Sequence, residues 1–107
     1  MKKDLKISEL NETYGQLLTA RQREMVESYY DYDLSLAEIA QNEGVTRQAV
    51  RDAIVKSVEQ LNSFEGALGV LALKEALKSD LAEVKKQIES GNCEVALDLM
   101  AKLVGKI

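Results

Sequence analysis

Residues 35–50, SLAEIAQNEGVTRQAV, leave this chain few ways to fold. Ser35 and Glu38 stand three apart, the spacing at which a Ser side chain and a Glu side chain each satisfy the other's free backbone N–H at a helix start. The helix they open is short, because Gly44 is the residue that adopts a left-handed conformation most cheaply and so ends helices. Thr46 then caps a second helix from Arg47. Ala40 offers a small side chain where the two helices cross, and Ile39, Val45, Val50 and Ile54 supply apolar surface to bury between them. Two capped helices, a glycine turn and a small residue at the crossing predict a helix-turn-helix.

The remaining chain reads as helix too. Among 107 residues there is no Pro, Gly is sparse, and Leu, Ala, Glu and Lys are plentiful. A first helix is expected over Leu5 to Leu17, with Leu5, Leu10, Tyr14 and Leu17 on one side. Thr19 and Gln22 form another capping-box pair, opening a helix that carries Met25, Val26, Tyr29 and Tyr30 and ends at DYD. Tyr29 and Tyr30 read as packing residues, with Tyr32 exposed near the turn. Val50, Ile54, Ser57, Leu61, Phe64, Leu68 and Leu71 recur in alternating steps of four and three, a heptad rhythm. Gly66 and Gly69 interrupt it, so the fourth helix either continues past them or breaks near Asn62–Ser63. An amphipathic helix marked by Leu73, Leu77, Leu81, Val84 and Ile88 follows and stops at SGN. Asn92 opens a last helix bearing Val95, Leu97, Leu99, Met100, Leu103 and Val104.

The expected fold is all-α: a helix-turn-helix bundle over 1–62 and a long C-terminal helical extension over 63–107. The apolar stripe of the extension exceeds what a small helix-turn-helix domain needs to cover itself. It therefore predicts a homodimer joined through Phe64, Leu68, Leu71, Leu77, Leu81, Leu97, Met100 and Leu103.

Composition excludes much chemistry. With no His there is no Ser-His-Asp or Cys-His pair and no histidine metal site. No Gly-rich phosphate loop occurs, and the acidic residues are scattered at the spacings of a solvated helix face. An enzyme is not expected, nor a metal, a cofactor or a small-molecule substrate. No stretch is long and apolar enough to span a bilayer, and MKKDLKISEL lacks an apolar signal core. The single cysteine, Cys93, has no internal partner and reads as a small, partly buried residue without a basic neighbour. The simplest compartment is the cytoplasm.

A helix-turn-helix presents the start of its second helix to the major groove of DNA. Here that face carries Thr46, Arg47, Gln48 and Arg51. Arg pairs in bidentate fashion with guanine and Gln with adenine, so these residue types suit base reading. Lys56, with Arg21 or Arg23, is expected at phosphates. Against this stands charge: residues 1–62 hold eight Lys and Arg but eleven Asp and Glu. Glu43 and Asp52 lie close to the reading face. Few phosphates can be neutralised, so the sequence describes a weak reader that binds as a dimer, or a surface turned toward a protein.

The run LLTARQREMVESYYDYDLSLAEIAQNEGVTRQAV, residues 17–50, resembles the YlxM family of bacterial signal-recognition-particle-associated proteins, whose helix-turn-helix is similar to sigma-factor region 4. LLT, Gln22, Tyr29–Tyr30, SLAEIA, Gly44 and RQAV carry the likeness. Beyond Asp52 it thins to shared helical character, with Leu68–Gly69 as a remnant. This chain departs from the family pattern at Arg51, where relatives have an aromatic residue, and at Val55, where they have a basic one. The resemblance implies a cytoplasmic regulatory or accessory protein of the signal-recognition-particle pathway, binding DNA, or the particle's RNA or protein.

Overall fold

The computed structural model describes residues 4–106; Met1–Lys3, part of the N-terminal stretch read above for a signal, and Ile107 lie outside them. Among the described residues six α-helices run in order: α1 (Leu5–Tyr14), α2 (Ala20–Val26), α3 (Leu36–Glu43), α4 (Arg47–Leu68), α5 (Val70–Glu89) and α6 (Cys93–Lys106). A 3-10 turn, Gly15–Leu17, follows α1, and a π-helical segment, Glu27–Asp31, follows α2. The described residues contain no strand, so the fold is all-α. None of these helices is long and apolar enough to cross a membrane. The chain divides into two compact units, residues 1–71 and 72–107, described separately below.

In the first unit every helix start read from the sequence is present. The Thr19 hydroxyl accepts from the Gln22 amide while the Gln22 side chain accepts from the Thr19 N–H. Ser35 and Glu38 make the same reciprocal pair. The Thr46 hydroxyl accepts from the Ala49 amide. Gly44 ends α3 at φ 67°, in the left-handed region. Each hydrogen bond occupies a helix-end group that has no partner inside its own helix.

The first helix is shorter than the leucine spacing suggested. It ends at Tyr14, and Leu5 and Leu17 are exposed. The buried line is instead Ile7, Leu10, Asn11 and Tyr14, continued by Leu18. Tightening into a 3-10 turn after Tyr14 brings Leu18 inward in place of Leu17. That turn needs Gly15, because a Cβ there would stand 2.9 Å from the buried Asn11 Oδ1 and 3.1 Å from Arg23 Cδ.

Beyond α2 the helix widens into the π segment, with the Tyr32 amide reaching back to the Glu27 carbonyl. Tyr29 is buried and Tyr30 half-buried, their rings 5.1 Å apart and edge-on. Tyr32 is exposed as expected.

Helix α4 is the spine of this unit and runs unbroken through Asn62, Ser63 and Gly66 to Leu68. Its Val50 and Ile54 are fully buried with Met25, Tyr29, Ile39 and Ala40 in one cluster. Leu61, on the same stripe, is buried with Ile7, Leu10, Tyr14, Leu18, Val26 and Leu71 in a second. Tyr30 and Val58 pack against both clusters and join them. Ser57, buried on the stripe, donates to the Ala53 carbonyl and so loses no hydrogen bond.

In the second unit α5 and α6 form a hairpin through Ser90–Asn92, with Gly91 at φ 79°. Asn92 sits just before α6; its carbonyl accepts from the Ala96 amide and its side chain donates to Gln87. Among the described residues Val84, Ala96 and Leu103 form the hairpin's buried cluster, with Leu77 and Leu99 packed against it. Cys93, expected to be partly buried, is exposed, because it lies in the first turn of α6 away from that line.

Candidate nucleic-acid interface

The site is the first two turns of α4 and the turn before it. Burial of Val50 and Ile54 fixes the rotation of the helix, and a helical repeat of about 3.6 residues then places Arg47 and Arg51 one above the other on an exposed side. Gln48 lies beside them. Thr46, Arg47, Gln48 and Arg51 are all exposed, so the structure brings these four predicted residues onto one end of α4. Among the described residues Arg47 and Arg51 enter no ion pair. Both residues are exposed, and neither guanidinium has a hydrogen-bond or ion-pair partner among the described residues.

The other members are less available. The Thr46 hydroxyl is committed to the cap of α4. Gln48 Nε2 donates to Asp52 Oδ1 at 2.8 Å, one turn along the same helix. Asp52 therefore occupies the side-chain amide that the sequence reading assigned to a base. Lys56 is exposed, but it stands five residues beyond Arg51 and so projects well around the helix from it.

Of the outlying cations, Arg21 has an acidic partner. Arg21 Nε lies 3.6 Å from Glu43 Oε2, joining α2 to the end of α3. Arg23 is half-buried against Gly15, and its carbonyl accepts weakly from Asn11 Nδ2 at 3.4 Å. The i, i+4 spacing of Gln48 and Asp52 was a sequence signal for their bond. Nothing local announces Arg21–Glu43, which depends on how α2 meets α3.

Beside this face α2 and α4 enclose an open groove of about 350 Å³ floored by Met25, Val45, Ala49 and Ala53, with Thr19 and Gln22 at its rim. Its surface is mainly apolar. Gln22 Nε2 donates to Gln60 Oε1 at 2.7 Å and ties the two helices together.

Residues 1–100 match the family described as "Putative helix-turn-helix protein, YlxM / p13 like". The chain belongs to this family, UPF0122. A UPF0122 protein from Desulforamulus reducens is 39% identical over all of this chain and 94% of its own length. One from Symbiobacterium thermophilum is 38% identical over 96% of each. Another, from Fusobacterium nucleatum, is 34% identical over 88% of this chain and 91% of that protein. The UPF0122 match extends well beyond residues 17–50 and takes in most of the second unit. The family's description names its helix-turn-helix and no reaction.

Proposed function

We infer that this UPF0122 protein is a regulatory reader of double-stranded DNA, with α4 laid in the major groove. The observation that carries this is the pair Arg47 and Arg51, stacked at the exposed start of the second helix of the motif and free of acidic partners among the described residues. Each guanidinium presents the donor fork that guanine O6 and N7 accept. Gln48 joins the readout by exchanging Asp52 for a base edge. The cost of that exchange is small, because an exposed amide–carboxylate hydrogen bond competes with water on both sides.

Charge sets the affinity. Residues 1–71 hold eight Lys and Arg against twelve Asp and Glu, so the unit that carries the reading face holds the whole net charge of −4. Two or three phosphate contacts give a salt slope of only about −2 to −3 in log K against log salt. Selecting duplexes from a random pool with the full chain, then measuring that slope on an enriched sequence, tests the reading. Failure to enrich any sequence would refute it.

A second reading is an adaptor of the signal recognition particle, contacting its protein or RNA. The resemblance suggests it, and the groove between α2 and α4 in an acidic unit supports a protein partner. Co-purification of a particle component with the tagged full chain, lost on Ala53→Glu in the groove floor but kept on Arg51→Ala, would favour this reading over the first.

A further inference from the structure

The α5–α6 hairpin has two unlike flanks. On one, Asp80 and Glu83 of α5 meet Lys102 and Lys106 of α6 around a shallow cleft, and Lys106 Nζ lies 3.9 Å from Asp80 Oδ2. That flank carries the charged groups, one pair of them joined, around a cleft that Leu99 and Leu103 also line. The buried line of Val84, Ala96 and Leu103 runs between the helices. Helical periodicity then sets Leu81 and Ile88 of α5, with Leu97, Met100 and Val104 of α6, on the opposite flank. In antiparallel right-handed helices these positions turn toward the same side. All five are exposed, from 46% for Met100 to 72% for Val104.

We propose that this flank is a homodimer interface, closing two α5–α6 hairpins into a four-helix bundle. Three arguments select a second copy as the occupant. The first is size. Five half-exposed aliphatic side chains present on the order of 100 Å² each, so two copies bury about 1,000 Å², where specific interfaces begin. The second is charge. Residues 72–107 carry six Lys and Arg and six Asp and Glu, so two hairpins approach without net repulsion. The same neutrality offers no basic excess to attract a nucleic acid or an anionic lipid surface. The third is pattern. Leu97, Met100 and Val104, like Leu81 and Ile88, follow the i, i+3, i+7 spacing by which helices interlock, and one two-fold operation buries the same flank on both copies.

The interface differs from the stripe expected from the leucine spacing. Leu71 and Leu103 are consumed inside their own units, while Ile88 and Val104 take their place at the surface. The dimer needs no ligand, so it stands or falls apart from the DNA reading. If both hold, each assembly carries two copies of α4.

Sedimentation equilibrium of the full chain, from low micromolar upward, is expected to show the dimer mass. Leu97→Asp should weaken the dimer by roughly a hundredfold, since it buries an unpaired carboxylate. Val95→Asp, on the other side of α6, should leave it intact. Because a monomeric hairpin can also unfold, the flank is probed without disruption by oxidative crosslinking in a Cys93→Ser background. Met100→Cys should give a covalent dimer and Val95→Cys should not. A monomer at about 100 µM, a dimer indifferent to Leu97→Asp, or equal crosslinking from both positions would overturn the proposal.

Discussion

The Tyr14 hydroxyl donates to Glu65 Oε1 at 2.5 Å, although 51 residues separate them. The same hydroxyl accepts from the Val70 amide at 2.9 Å, and Glu65 Oε1 accepts from the Leu71 amide at 3.0 Å. Those are the first two amides of α5, which have no partner inside their own helix. A carboxylate and a phenol oxygen take the place of a serine or threonine cap, with negative charge at the end of the helix where its dipole favours it. Gly69, left-handed at φ 63°, makes the turn that brings those amides back to Glu65. The α4–α5 turn is thereby tied to α1.

This tie titrates. Burial, and then the hydrogen bond to Glu65, raise the Tyr14 phenol above its ordinary value near 10. The folded state therefore favours the neutral phenol. Its contribution is fully present below pH of about 10 and is lost as pH rises through the higher folded-state value. Tyr14→Phe should lower the melting temperature at neutral pH and flatten its fall above pH 10. Melting curves followed by circular dichroism check this; parallel pH profiles for parent and variant would show that Tyr14 is not responsible. Tyr30, also raised chiefly by burial, is common to both proteins.

Arg51→Ala should weaken binding to a selected duplex by about 1–3 kcal/mol, the usual size of a bidentate base contact. Arg51 is exposed and makes no ion pair among the described residues, so melting should be unchanged. Fluorescence anisotropy on the selected site and on a base-substituted one reads both affinity and specificity.

Asp52→Asn is expected to act in the opposite direction. It removes a negative charge beside the reading face and loosens the 2.8 Å hold on Gln48. Affinity should rise, and the gain should shrink as salt screens the lost repulsion. Titrations at two salt concentrations decide it.

Gly44→Val should destabilise the first unit by about 1–2 kcal/mol, the penalty of a left-handed conformation for a residue with a Cβ. The cause is backbone strain alone, because a Cβ at Gly44 would meet nothing within 4 Å. Gly44→Asn should cost less, since Asn tolerates that conformation. Thermal melts of the two variants separate strain from crowding; equal losses would argue against this account.

The helix-turn-helix was legible in the chain because its signals are local. Ser35 with Glu38, Thr19 with Gln22, and Thr46 with Ala49 are bonds across three residues, formed by helix-end groups that need a partner wherever the helix is placed. Gly44 is decided by its own backbone dihedral. Local spacing likewise set the exposed group of Arg47, Gln48 and Arg51, once Val50 and Ile54 were known to be buried.

Local spacing could not say which of several apolar residues turn inward. Leu5 and Leu17 have the same chemistry as Leu10 and Leu18, and only contact with α4 and the start of α5 separates them. The Gln22–Gln60 bond, the Arg21–Glu43 pair and the cap that Tyr14 and Glu65 place on α5 likewise join residues far apart in the chain. Such partners meet only after other helices have packed. A capping residue chooses among its few neighbours, whereas a core side chain or a distant ion chooses among everything the fold brings near. The amino-acid sequence alone therefore determined where α2, α3 and α4 begin, where α3 ends and which side chains head α4. The tertiary structure decided which leucines are core, which cations remain free and how α5 is held at its start.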